Sequence, residues 1–589
     1  MEPFFSDEAK ADISRLVAQF FAAQNFSYSV ATIYSWMERP PESHLGDYAL
    51  PCFRFAKECR KKPVDIAQEL QVFLTAQSSP LIQRVETAGA FLNLFLQPAQ
   101  LTERVFSQVP SGAFFTRMQQ NPEHRQHRVM VEFSQPNTHK VFHIGHARNV
   151  SLGDGLARVF AYNGYTVLPV NYIGDEGTHV AKCLWEMQEE GAELPTADFA
   201  QWYGQRYAAA SQRLTEATPE VRKQYEQKIS TVLKALESKE GETYRLWQKS
   251  RAQCMEDFGR IYDWLGVHFD HIFYESDVSE ESQAIVEEYL KKGLFYESEG
   301  AIGLSLEEEK LGFFLARKSD GTTLYITKDL ALAKRKFQDF AIDRSIYVVG
   351  NEQNFHFRQL FAVLKKMGFP QAEQCYHLSY AHVKLPQGAK MSSRTGNIVS
   401  FLQLVGWVED ELKKHLVKYE DQWTPQQLAD TLHKLAVGTI RYGMVDTDPH
   451  TEIIFDPEVW TSFEGNTGPY LMYSYARSRS ILRKGEAEGA VPDFTAYHEL
   501  VHPAELELLR ELFDFNTVVE SACVCYRMSL LTGYLYRLCK LYNRFYAQVS
   551  VLRAETAALR GARLALVSCF GSVLVQGLDL IGITPPESM

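Results

Sequence analysis

The chain has 589 residues, too many for one hydrophobic core, and length alone suggests about four domains. Its apolar fraction of 45% and charged fraction of 23% set aside disordered and collagen-like architectures. The formal net charge of −12 argues against indiscriminate polyanion binding, but a specific nucleic acid needs only a local basic stripe.

The opening MEPFFSDEAKADISRLVAQFF reads as a capped amphipathic helix. It lacks the basic start and small-residue cleavage site of a secretory signal, so a cytoplasmic address is expected. No run of about 18 apolar residues is apparent, and no membrane span is expected. Residues 1–112 mix helix signals with short strands and end in VETAGAFLNLFLQP, a strand following a turn near Gly89. The polar stretch QQNPEHRQHR reads as a linker. VMVEFSQPN then begins an apolar strand that stops at Pro136, which cannot continue a ladder.

From about 125 to 405 strands alternate with helices, the pattern of a parallel sheet with crossover connections; VLPVNYIG, SIYVVGNE and HLSYAHVKL are the clearest strands. Between about 185 and 262 the sequence turns long, charged and helix-rich, which reads as a helical insertion. Residues 406–455 read as a helical connection and 456–589 as an all-helical domain. No internal repeat is apparent, which disfavours a solenoid. The nine cysteines form no C-x-x-C pair and read as reduced, buried thiols rather than a metal site. Cys523 and Cys525, two apart in a helix, face different directions.

His143-Ile144-Gly145-His146 follows the strand ending near Phe133 and opens a helix. Such a junction presents backbone N–H groups and the positive helix end to an anion. Gly145 lets a flat base or a phosphate approach closely, and His143 and His146 lie on one face as donors to phosphate oxygens. The bland alternative is a helix with two incidental histidines. Roughly 245 residues later, after another apolar strand, comes Lys390-Met391-Ser392-Ser393-Arg394-Thr395-Gly396-Asn397. A lysine on a Gly-containing loop can close over a triphosphate, although such a loop alone is as readily a solvated turn.

A cationic ligand would be held by carboxylates and hydrogen-bond acceptors. Three segments offer these groups: Glu275 in FDHIFYESD, Tyr325 and Asp329 in TLYITKDLALAKRKF, and Gln353 and His356 in VVGNEQNFHFRQL. Tyr325 and Asp329, four apart, share a helix face; Asp329 can equally be a helix cap. Tyr470, Tyr473, Tyr475, Arg477, Arg479, Arg483 and Lys484 interleave aromatic and basic groups suited to stacking on bases and contacting phosphates. Arg537, Lys540 and Arg544 make a second basic stripe. Taken singly, such tyrosines are as readily core and such arginines a solvated face.

The two signatures resemble the HIGH and KMSKS elements of class I aminoacyl-tRNA synthetases. The stretch from Ser134 to His146, SQPNTHKVFHIGH, resembles the extended pattern of arginyl-tRNA synthetases in particular. This resemblance implies a Rossmann-like catalytic domain over 125–405, an N-terminal α+β additional domain over 1–112 that meets the tRNA elbow, and an all-α anticodon-binding domain over 456–589. It implies ATP-dependent arginine activation and transfer to the 3′-terminal ribose of tRNA, with magnesium arriving on ATP and no metal held by protein alone. The expected partners are tRNA(Arg), arginine and ATP, and the enzyme is expected to be a monomer.

By the same resemblance Lys140, His143, His146 and Lys390 act in catalysis. His143, Gly145, His146, His382, Lys390, Met391, Ser392 and Arg394 bind ATP. Ser393 replaces the second lysine of KMSKS, and either Lys140 or Arg394 would supply its charge. Glu275, Asp329 and Tyr325 take the guanidinium, while Asn137 and Gln353 hold the α-amino and carboxylate end. The stretch from Asn171 to His179 matches a family segment in which Glu176 replaces tryptophan, and that position receives no role. For tRNA, Tyr470, Arg477 and Arg544 are candidates, with Asn93 in GAFLNLFL. The closing LDLIGITPPESM matches the family terminus. Rival readings are a class I enzyme for lysine or cysteine, a small-molecule nucleotidyltransferase, and a non-catalytic RNA-binding paralogue.

Overall fold

The computed structural model describes residues 4–40, 42–77, 79–319, 325–386 and 399–589. Lys390, Met391, Ser392, Ser393 and Arg394 therefore lie outside the described residues, as does the side chain of Tyr325.

The N-terminal part packs helices on a three-stranded antiparallel sheet with β3 (Phe91–Leu96) between β1 (Tyr48–Pro51) and β2 (Ile82–Ala88). β2 and β3 form a hairpin closed by Ala88 opposite Phe91, and its turn residue Gly89 has φ +59°, a conformation glycine adopts without steric cost. Leu92, Leu94, Phe21 and Phe55 belong to a core of this part's own. The polar stretch expected to be a linker is docked instead. The turn Met118–Gln120 leads into it and His124–Gln126 lies within it, Asn121 is buried, and His124 stacks on Tyr165 at 4.1 Å. The buried Met118 beside it, with Gly164 packed close to the Met118 carbonyl, and the His124 ring, 2.7 Å from the Asn163 carbonyl, fasten it.

The middle of the chain holds five parallel strands: β4 (Arg128–Glu132), β5 (Thr166–Ile173), β6 (His271–Tyr274), and, after the antiparallel β7 (Tyr296–Ser298), β8 (Ala301–Ser305) and β9 (Phe313–Arg317), β10 (Arg344–Gly350) and β11 (Cys375–Tyr380). Their order is β11-β10-β4-β5-β6. Val129, Met130 and Val131 are all buried because core lies on both faces of the sheet, as in helix-covered parallel sheets. From β4 the chain crosses to one side through the helix Ile144–Tyr162, and from β10 to the other through Asn354–Lys366. The strand order reverses between β4 and β10, and ligands of such sheets bind at the carboxyl ends of the strands there. The turn that carries His143 and His146 leaves β4 at that point, and the turn that carries Gln353 leaves β10.

The expected insertion is helical: Thr178–Glu190, Phe199–Glu216, Pro219–Glu237 and Gly241–Leu265 lie between β5 and β6. Past β12 (Val383–Lys384), which pairs with β13 (Ile453–Ile454), helices dominate to the terminus. Ala557–Leu580 is, among the described residues, the one helix long and apolar enough to cross a membrane. Its side chains line the core instead, beside Tyr542 and Leu535.

Candidate active site

The turn after β4 is bound on every side. Ser134, Gln135 and His139 have φ of 80°, 41° and 62°, unfavourable for residues other than glycine, so surrounding contacts must hold them. Asn149 accepts the Ser134 N–H (2.5 Å) and donates to Gln135 Oε1 (2.9 Å) and the Val348 carbonyl (2.8 Å). Asn171 on β5 accepts the Gln135 N–H at 3.0 Å and donates to Tyr262 at 2.9 Å. His139, buried between Thr138 and Ser250, is held neutral by burial, its pKa near 3. These supports were not anticipated from sequence; the one local signal is the polar Asn171 within the apolar strand VLPVNYI.

His143 is the N-cap of the signature helix. The Gly145 N–H donates to His143 Nδ1, and the His143 N–H donates to His146 Nδ1, both at 3.1 Å. Each Nδ1 is therefore an acceptor, and the hydrogen-bond network assigns each ring proton to Nε2. The rings stack with centroids 3.8 Å apart. Burial, with the Lys140 charge second, lowers the His143 pKa to about 4. His146 is held well below its ordinary value by burial, then by His143 and Lys140. Two stacked neutral rings thus offer two N–H donors with no mutual repulsion. A Cβ on Gly145 would sit 3.0 Å from the His143 ring.

Asn137, Lys140, His143, His146, Tyr207 and Gln403 line one cleft of about 330 Å³. Lys140 Nζ lies 5.2 Å over the Tyr207 ring. Residues beyond the second signature are stitched to the first: the Ile144 N–H donates to Val399 O (3.1 Å) and the Phe401 N–H to Phe142 O (2.9 Å). His382 is not in that lining. It is largely exposed, 3.7 Å from Glu352, yet its charge would press on His143. Arg148, fully buried, donates to the carbonyls of Ala381 (2.5 Å), His382 (3.4 Å), Pro449 (3.2 Å) and Thr451 (2.9 Å). It remains a cation despite burial, with a pKa near 10. One side chain of the signature helix thereby ties the strand before the second signature to the connection that follows.

Glu275, Asp329 and Asn137 converge beside this cleft. Asp329 lies inside the helix Tyr325–Phe340 and accepts the Nε2–H of His356 at 2.6 Å, so it is not an N-cap. Glu275 is 7% exposed, and its Oε2 has no hydrogen-bond partner among the described residues. Burial raises its pKa well above the usual carboxylate range; Lys328 opposes this, and Asp329, Glu176 and Asp175 add to it. A Cβ on Gly174 would fall 2.2 Å from Asn137 Oδ1 and 3.6 Å from Glu275 Oε1, which places both side chains against one glycine. Such a concave, acidic site suits a cation whose charge would return Glu275 to its ionised form. Gln353 stands exposed on the turn Asn351–Gln353 after β10. Glu176, given no role from sequence, pairs with Lys328 and accepts from Ser279. Among the described residues no group of three His, Cys, Asp or Glu side chains is placed to hold a metal.

Tyr470 and Arg477 do meet, through Asn543, which donates to the Tyr470 hydroxyl and accepts from Arg477, both at 2.9 Å. They line a cleft of about 540 Å³ with Tyr473, Lys418 and Met589. Arg544 is not in that lining and pairs with Glu507 at 2.7 Å. Asn93 is buried in β3, 6% exposed, so its side chain does not present to solvent.

The chain matches the family models for the class I (R) tRNA synthetase catalytic domain over residues 111–457, the DALR anticodon binding domain over 471–589, and the arginyl tRNA synthetase N terminal domain over 7–96. It is 38% identical over 574 residues to the arginine–tRNA ligase of Bdellovibrio bacteriovorus, covering 96% of each chain. To that of Clostridium acetobutylicum it is 33% identical, covering 95% of this chain and 97% of the relative. Among solved structures it is similar to the arginyl-tRNA synthetase of Thermus thermophilus, with a TM-score of 0.81 at 27% identity, covering 98% of this chain and all of that one. With a catalytic-domain model matching more than half its length and relatives alike from end to end, the chain belongs to the arginyl-tRNA synthetase family of class I.

Proposed function

We propose that the cleft at the β4–β10 reversal is where this arginine–tRNA ligase forms arginyl-adenylate, and that the convergence of Asn137, Glu275 and Asp329 beside the paired histidines carries the assignment. ATP enters as its magnesium complex, and an arginine carboxylate oxygen attacks the α-phosphorus. That P–O bond forms as the bond to the pyrophosphate oxygen breaks. The Nε2–H groups of His143 and His146 and the Lys140 ammonium stabilise charge on the phosphoryl oxygens, with Gly145 allowing close approach. His382, Lys390, Met391, Ser392 and Arg394 complete the ATP site. Neutral N–H donors of fixed direction fit this task, because they need no reorganisation as charge develops. Glu275 and Asp329 hold the guanidinium, with Tyr325 against it, and Asn137 and Gln353 hold the α-amino and carboxylate end. The terminal 2′-hydroxyl of tRNA(Arg) then attacks the carbonyl carbon and AMP leaves, with no protein nucleophile.

Tyr470, Arg477 and Arg544 meet the anticodon end, and the N-terminal domain meets the elbow through surface groups other than the buried Asn93. The enzyme acts as a monomer in the cytoplasm, a compartment that suits nine unpaired thiols, eight of them buried. ATP–pyrophosphate exchange with each amino acid, with and without tRNA, tests the reading. Exchange with arginine alone, and only when tRNA is present, is expected. Exchange driven by another amino acid would overturn the pocket assignment.

A further inference from the structure

Glu176 brings a second ion pair to the rim of the proposed arginine pocket. Lys328 Nζ is in tight contact with Glu176 Oε1 and lies 4.0 Å from Glu275 Oε2, the carboxylate oxygen that has no hydrogen-bond partner among the described residues. Glu176 is itself held, since Ser279 donates to the same Oε1 and also to the Glu275 carbonyl (3.2 Å). Neighbouring Asp175 is fully buried and fastened by Arg251 (2.8 Å) and by the Ser276 hydroxyl (2.7 Å) and N–H (3.0 Å), so the backbone at Glu176 has little freedom. Lys328 is only 11% exposed at its side chain and cannot relax into solvent. With the Glu176 charge removed, the nearby Glu275 carboxylate, 4.0 Å away, would draw the ammonium toward it, where it would compete with the substrate guanidinium.

We propose that Glu176 is a positioning residue for arginine affinity: it holds the Lys328 ammonium off Glu275 and so keeps that carboxylate open to the guanidinium. This rests on the pocket assignment above. Glu176→Gln keeps the shape and the Ser279 contact and removes the charge. In tRNA-dependent ATP–pyrophosphate exchange it is expected to raise the KM for arginine about tenfold, with kcat and the KM for ATP within about twofold. The double variant Glu176→Gln/Lys328→Met removes the competitor and is expected to return the arginine KM to within about threefold of the parent. Ser279→Ala, a milder change, should move the arginine KM the same way by about threefold and be rescued by the same Lys328→Met change. That variant also serves if Glu176→Gln does not fold.

An unchanged arginine KM in Glu176→Gln, or a double variant no better than the single, overturns the inference, since damage to the fold would not be rescued by a second substitution. Glu275→Gln, measured alongside, separates the two readings. If it leaves the arginine KM unchanged, the pocket assignment falls. If it raises that KM while Glu176→Gln does not, only the role of Glu176 falls.

Discussion

Adding one methyl group at Gly174 tests the arginine end of the cleft with a small change. The backbone there lies outside the left-handed region, so alanine meets no φ penalty; what it meets is Asn137. Its Cβ would sit 2.2 Å from Asn137 Oδ1, inside any tolerable contact, and 3.6 Å from Glu275 Oε1, an ordinary one. Asn137 must therefore yield by about 1 Å while Glu275 stays, and a displacement of that size at a substrate-positioning group costs about 100-fold in rate. That is about 2.7 kcal/mol of transition-state stabilisation. Asn137 is half-buried at the cleft wall and can swing aside, so the melting temperature should hardly change. In tRNA-dependent pyrophosphate exchange, kcat/KM for arginine is expected to fall about 100-fold, with the KM for ATP within about twofold. A variant that keeps kcat/KM for arginine within about threefold would refute the placement of Asn137 against the substrate.

The histidine pair is neutral, His143 having a pKa near 4, so exchange should show no titration from these rings between about pH 6 and 8. An acidic limb in that window that vanishes in His143→Asn would contradict the neutral-donor reading. Glu275 has a raised pKa, so its protonated form favours the fold and that contribution is lost as pH rises through the folded value. Glu275→Gln should therefore be more stable than the parent by roughly 1–3 kcal/mol at neutral pH. The gain should widen with rising pH in thermal melts, while arginine affinity is lost. Arg148→Lys cannot reproduce the fork that reaches both Ala381 and Thr451; it is expected to lose about 3 kcal/mol in urea unfolding and to raise the KM for ATP. No change in either measurement would show that this tie does not organise the site.

The signatures and the alternation of elements were legible in the sequence because each is a local pattern. H-I-G-H sits on one helix turn, the strand at 128–132 carries the apolar run Val129-Met130-Val131, and helix and strand periods show within a dozen residues. The guanidinium-binding candidates were legible as residue types in three segments, and on spacing alone Asp329 was equally a cap. Its partnership with His356, the Glu176–Lys328 pair across 152 positions, and the reach of Arg148 to residues over 230 positions away belong to the tertiary structure. So do the burial of Asn93, a tRNA candidate by resemblance, within a central strand and the docking of the polar stretch at 119–128, which read as a linker. The physical reason is the strand order. Placing β10 beside β4 brings together turns that sequence distance keeps apart, and that adjacency helps decide which buried polar groups find partners and which, like Glu275 Oε2, have none among the described residues.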